Sequence, residues 1–160
     1  MLSRLRPIWP LIAGLASAAL LAGAHAFQRF GGLAPCPLCY DQRHWHWGVL
    51  GFAVLSFAAI QWKPALARWA AIGLGLILLG SAAQAAFHVA VEQAWVIYRC
   101  EADIDLDNLA FNVNAPVEVP QCDKVVWSLF GISMAGYNAM ISFALALASF
   151  AVALAPERKS

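Results

Sequence analysis

Four cysteines, Cys36, Cys39, Cys100 and Cys122, are the residues of this chain best suited to chemistry. Cys36-Pro37-Leu38-Cys39 holds two thiols close enough to cycle between dithiol and disulfide. A helix N-terminus at this point would stabilise a thiolate. If that helix begins near Pro37, Cys39 and Arg43 stand four residues apart on one face, which sets a guanidinium beside the sulfur. Such a group also suits an acceptor carbonyl that gains negative charge. The alternative is that Arg43 only reaches for lipid headgroups. Cys100 and Cys122 bracket an acidic, proline-containing stretch. A bridge closing a loop of that size stabilises by roughly 3 kcal/mol in the chain-entropy model. It would serve as a structural staple, as an accessible target for a soluble thiol protein, or as both.

The elements that position these thiols follow from composition. The chain has 160 residues, of which 62% are hydrophobic and only 12% charged. A bilayer-spanning helix needs about 20 mainly apolar residues, and four stretches supply them, at about 8–27, 45–62, 69–91 and 132–154. The expected fold is an all-α membrane protein, a four-helix transmembrane bundle with one longer periplasmic loop. It forms a single membrane domain over 1–160, with outer loops at about 28–44 and 92–131. Gly48, Gly51, Gly73 and Gly80 and an alanine-rich fourth helix favour close helix packing. A net charge of +1 gives no expectation of nucleic-acid binding.

Charge asymmetry orients the bundle, since Lys and Arg collect in cytoplasmic loops. Arg4, Arg6, Lys63, Arg68, Arg158 and Lys159 share one side with Glu157 alone. The other side carries Arg29, Arg43, Arg99 and Lys124 against Asp41, Glu92, Glu101, Asp103, Asp105, Asp107, Glu118 and Asp123. Both termini are therefore expected in the cytoplasm and all four cysteines outside, where disulfides persist. The tryptophans fall near segment ends, as interfacial anchors do. A competing reading makes Ala24-His25-Ala26 a signal-peptidase site. The preceding apolar run is long enough to span, so the segment is expected to stay as a helix.

Ser81, Gln84, His88 and Glu92 recur at helical spacing on the third segment. They would line a pocket or handle protons there, or else bond between helices. His44 and His46 beside the cysteine pair raise a metal site, but helical residues two apart face different ways, so no metal is expected. His25 is expected to bond between helices. The apolar run Val125 to Phe130 would lie along the membrane surface, unless the fourth helix starts early.

Together these residues resemble the DsbB family of disulfide bond formation proteins. The likeness lies in Cys36-Pro37-Leu38-Cys39-Tyr40-Asp41-Gln42-Arg43 and in Cys122 followed by Trp127-Ser128-Leu129-Phe130-Gly131-Ile132-Ser133-Met134-Ala135-Gly136-Tyr137-Asn138. It covers nearly the whole chain. The resemblance implies a bacterial inner-membrane thiol oxidase that takes electrons from a periplasmic DsbA-like thioredoxin-fold protein and passes them to the membrane quinone pool, as ubiquinone or menaquinone. On that reading Cys100 receives the partner thiol, Cys122 attacks Cys36, and Cys39 is released toward the quinone beside Arg43, with His88 a further candidate at the quinone. A vitamin K epoxide reductase-like enzyme shares the chemistry but resembles the chain less. A redox-inert tetraspan protein and a metal-handling membrane protein are the alternatives from other classes.

Overall fold

Four long helices form because apolar, mostly unbranched residues run uninterrupted between proline and glycine punctuation. The computed structural model of the chain describes residues 2–98 and 121–156. Helix α1 (Trp9–Gly31) has Pro10 in its first turn and ends at Gly32, whose φ of 67° lets its N–H return to the Phe27 carbonyl. Helix α2 (Pro37–Trp62) is followed by a 3-10 turn, Pro64–Leu66, and then by α3 (Ala67–Glu92). Helix α4 (Met134–Leu154) starts at Ser133, whose hydroxyl accepts from the Gly136 N–H as an N-cap.

The run before α4 is not an early start of that helix. Strands β1 (Ser128–Leu129) and β2 (Ile132–Ser133) pair antiparallel. Phe130 and Gly131 turn between them with φ of 52° and 77°. Two successive positive φ values make the tight hairpin turn whose twist matches its strands. Trp127, just ahead of it, packs on Phe27 of α1 and on Tyr137 of α4.

Large apolar side chains face outward while several small polar ones are enclosed, unlike a water-soluble bundle. Ser17, Ser81, Ser142 and Ser149 are fully enclosed, whereas Leu15 and Leu55 are each 71% exposed. Helices α1, α4 and the stretch Pro64–Glu92 are long and apolar enough to cross a bilayer. Helix α2 is not among them, because its first turns carry Asp41, Gln42, Arg43, His44 and His46. It begins eight residues before the apolar stretch at 45–62, which carries the Cys36 to Cys39 motif out of the expected loop and onto a helix start.

The largest helix interface joins α3 to α4, and α2 packs on both α1 and α3. The core holds Trp9, Ala13, Val49, Leu74, Leu78 and Val152. The glycines of α3 seat aromatic rings. A Cβ on Gly80 would stand 2.6 Å from the Trp45 ring, and one on Gly73 would stand 2.5 Å from Phe52. At the opposite end from the cysteines, the buried Arg6 donates to the carbonyls of Val152 and Ala153, each at 3.1 Å, and to that of Ala155. A cation thereby caps the C-terminus of α4, where orphan carbonyls and the helix dipole favour it.

Candidate active site

Cys36 is the N-cap of α2. Its extended backbone (φ −79°, ψ 167°) lets its sulfur accept the Cys39 N–H at 3.3 Å, while Pro37 fills the first helical position. The local sequence thus fixes both sulfurs at the positive end of a helix. They lie 2.9 Å apart, and a move of about 0.9 Å would reach disulfide bonding distance. Cys36 is buried and Cys39 partly exposed. Both precede the 45–62 stretch.

Two thiolates this close cannot both ionise, so the pair shares one negative charge. The hydrogen bond from the Cys36 side chain holds Cys39 down to about 7, helped by a hydrogen bond from the Cys36 backbone and by Arg43, and opposed by burial and Glu92. The same bond, with burial, pushes the Cys36 thiol far up. Cys39 is the thiolate and Cys36 its donor.

Arg43, one turn on, donates to Gln28 Oε1 at 2.6 Å and to the Ala24 carbonyl at 3.2 Å, and its guanidinium lies over the Tyr40 ring. These bonds stitch α2 to α1. They use two of the five guanidinium N–H donors and leave others for a further acceptor.

Cys122 is disulfide-bonded, whereas Cys36 and Cys39 are free. It packs in one buried cluster with Cys36, Leu38 and Val91, against which Cys39 and Phe87 also lie. Cys100 lies outside the described residues. The fold therefore brings a disulfide sulfur against the reduced pair from a segment more than 80 residues downstream.

A network of polar side chains extends from this cluster into the bundle. His88 Nε2 lies 3.7 Å from Cys36 Sγ, and the ring also hydrogen-bonds to the backbone of Cys122. Gln42 Nε2 stands 2.6 Å from His88 Nδ1, and Gln42 Oε1 accepts from Asn138 Nδ2 at 2.7 Å. Asn138 Oδ1 then meets His46 Nε2 at 2.8 Å and accepts from the Ser142 hydroxyl at 3.0 Å. His46 Nδ1 reaches Ser17 on α1 at 3.2 Å, and Ser142 reaches Ser81 on α3 at 3.2 Å. All four helices contribute. Donors and acceptors match throughout if both histidines carry their proton on Nε2. No buried side-chain N or O is left unpartnered among the described residues. Glu92, at the end of α3, accepts from Ser133 Oγ at 2.5 Å and lies 4.0 Å from His88 Nε2.

Gln42, His46, His88, Glu92 and Asn138 border, with the cysteine pair and Arg43, one cavity of about 380 Å3. Leu20, Leu21, Phe27, Val126 and Leu129 supply apolar wall, and Cys39, Arg43, His46, His88, Glu92 and Asn138 are its chemically distinctive members. Its size and mostly apolar lining fit a ring compound that dissolves in lipid.

Of the residues singled out from sequence, Cys36, Cys39, Arg43 and His88 meet at this cavity and Cys122 packs beside it. The polar stripe of α3 divides. His88 and Glu92 face the cavity, Ser81 bonds to Ser142, and Gln84 points away to Asp41 at 3.5 Å. His44 and His46 do face different ways: His44 borders a separate shallow pocket and His46 spends both ring nitrogens on Ser17 and Asn138. His25 bonds within its own helix, to the Leu21 carbonyl at 2.8 Å, not between helices as expected. Sequence reasoning did not foresee Gln42, His46 and Asn138 as one network. The available signal was Cys39, Gln42, Arg43 and His46 at three- and four-residue spacing on one helix face.

A family model described as "Disulfide bond formation protein DsbB" matches residues 6–152. The chain is 32% identical over 139 residues to a "Disulfide bond formation protein B" of Methylococcus capsulatus, covering 78% of this chain and 79% of that one. A protein of the same description from Marinobacter nauticus is 33% identical over 138 residues, covering 79% of each chain. One from Nitrosomonas europaea is 43% identical over 98 residues, covering 61% of this chain and 56% of its own. No solved structure matches the chain significantly.

Proposed function

This chain belongs to the DsbB family of disulfide bond formation proteins and is a membrane disulfide oxidoreductase, and from that premise we propose how its own residues carry the reaction. The protein sits in the bacterial inner membrane as one domain of four spans, with α2 as the fourth, both termini cytoplasmic and the cysteines periplasmic. It reoxidises a periplasmic DsbA-like dithiol protein and passes the electrons to a membrane quinone, ubiquinone or menaquinone.

In the proposed cycle a partner thiolate attacks Cys100 of a Cys100–Cys122 bridge, and Cys122 leaves as a thiolate. Cys122 attacks Cys36 of an oxidised Cys36–Cys39 pair, and Cys39 leaves with the charge. Cys39 suits that part because the helix N-terminus and Arg43 favour its thiolate. The partner's second thiol attacks its sulfur bonded to Cys100 and closes its own disulfide, and the freed Cys100 thiolate attacks Cys122 of the Cys122–Cys36 bridge, so that Cys36 leaves as a thiolate and the Cys36–Cys39 pair is left reduced. A bound quinone would supply the two-electron sink that regenerates the Cys36–Cys39 disulfide. The wall of the cavity fits it: Cys39 borders the space, Arg43 offers remaining donors to a carbonyl, and His88 lies at the cysteine pair. With its proton on Nε2, His88 would donate to Cys36 Sγ, 3.7 Å away, and stabilise negative charge on that sulfur.

One observation carries this reading. A disulfide-bonded cysteine and a free dithiol pack together at the edge of an apolar cavity that also holds an arginine. The test mixes the purified protein with a reduced DsbA-like protein and a quinone, and follows quinone loss by absorbance. Cys39→Ser should stop that loss while leaving the protein folded; continued turnover would refute the assignment.

A further inference from the structure

We infer that the reduced Cys36 and Cys39 thiols and His88 form a binding site for a zinc-class ion, which holds the dithiol out of its redox cycle. The inference rests on the reading that this pair alternates between dithiol and disulfide. The three ligating atoms lie within 4.8 Å of one another, and a buried imidazole joins a Cys-x-x-Cys pair. Two thiolates and one imidazole are the donor set of open zinc sites, which keep a fourth position free.

The distances require little adjustment. Zinc bonds of about 2.3 Å to sulfur and about 2.0 Å to nitrogen, at tetrahedral angles, put sulfurs about 3.8 Å apart and sulfur about 3.5 Å from nitrogen. Cys36 Sγ and His88 Nε2 already stand at 3.7 Å. The sulfurs, at 2.9 Å, must part by about 0.9 Å, which a turn of the partly exposed Cys39 side chain supplies. The fourth position opens on the cavity, with Glu92 Oε1 4.0 Å from His88 Nε2.

Charge also favours the ion. A divalent cation lets both sulfurs ionise within a neutral group, which a dithiol this close cannot do alone. The thiol proton that the pair still holds leaves as the ion binds, and no electron moves, because zinc has no redox chemistry here. The polar network accommodates the change. Ligation through Nε2 moves the His88 proton to Nδ1, so Gln42 must turn its amide to accept it. Asn138 turns in answer, its Nδ2 now donating to His46 Nε2 and Ser142, while His46 Nδ1–H donates to Ser17. Every bond from Gln42 to Ser17 survives with its polarity reversed, and the His88 bond to the Cys122 backbone is exchanged for the ion.

Closing the Cys36–Cys39 disulfide removes both thiolate ligands, so only the reduced protein binds. The experiment uses the full chain in detergent with Cys100→Ser and Cys122→Ser, leaving two thiols, and adds Cd2+ or Zn2+ alone. Reduced protein should bind one ion, seen as a cadmium–thiolate charge-transfer band, and oxidised protein none. His88→Ala should weaken binding at least tenfold. Cadmium NMR of the unsubstituted site should report a nitrogen donor, a readout that stands even if His88→Ala fails to fold. Equal affinity in a folded His88→Ala variant, a spectrum without nitrogen, or one ion shared by two chains would overturn the inference. Turnover of the unsubstituted protein with reduced partner and quinone should fall on adding Zn2+ and return with a chelator. Full turnover without metal, together with no ion bound, defeats this inference alone. No turnover without metal defeats the oxidase reading and leaves the ion site standing.

Discussion

Replacing Cys36 with alanine should raise the Cys39 thiol from about 7 to its ordinary 9.0 or above, because the Cys36 hydrogen bond is the largest influence holding it down. Arg43 remains in the variant but acts against burial, which pushes the thiol up. Two pH units correspond to about 2.7 kcal/mol between the protonation states. At pH 7 the thiolate share would fall from about one half to about one in a hundred. Reactivity with a disulfide reagent falls less than that fifty-fold, because each thiolate becomes more nucleophilic as its pKa rises. A Brønsted slope of about 0.45 returns roughly eightfold, leaving a net loss of about sixfold at pH 7. The midpoint of the pH profile is therefore the sharper readout. Below it the thiol is protonated and slow, and above it ionised and fast. The assay follows thiolate absorbance and reagent rate against pH in reduced protein carrying Cys100→Ser and Cys122→Ser, with and without Cys36→Ala. The parent should show one transition near 7, since Cys36 is pushed beyond the accessible range. A midpoint that stays near 7 in the variant would refute the shared-proton account and leave Arg43 and the helix terminus as the cause.

Arg43→Ala should raise the same midpoint by less than Cys36→Ala does, and should raise the KM for quinone about tenfold, as losing one charge-assisted bond would. An unchanged KM in steady-state assays would remove Arg43 from the cavity's recognition role. Ser133→Ala removes the N-cap of α4 and the donor to Glu92 together, and should cost about 2 kcal/mol in thermal unfolding, while Ser133→Thr should stay close to the parent. Gly80→Ala should displace the Trp45 ring and cost about 1–3 kcal/mol, read as a lower Tm with altered tryptophan fluorescence.

The chemistry was legible in sequence where it depended on local spacing. Cys36, Cys39 and Arg43 fall within the N-cap and first two turns of α2, and their proximity follows from helix geometry once Pro37 is taken as the helix start. The early start of α2 was harder to read, because cysteine is not a common N-cap and the polar residues after it look like a loop. Gln42, Asn138 and His46 show no such local signature. Asn138 lies 96 residues from Gln42 and 92 from His46, and nothing in one sequence tells which polar residues of two helices will face each other. The hairpin before α4 was hidden for a related reason. Val125 to Phe130 is apolar enough for a helix, and the turn signal rests on Gly131 alone, with Phe130 taking a backbone conformation uncommon for its type.

Arg6 gives the molecule an order of assembly. It is made before α1, yet the carbonyls it caps belong to Val152, Ala153 and Ala155, at the end of α4. Helices α1, α2 and α3 are therefore made without that clasp, which fastens only after α4 has been added. The guanidinium acts as a latch between the segment before α1 and the end of α4, one that a product stalled before α4 has no means to close.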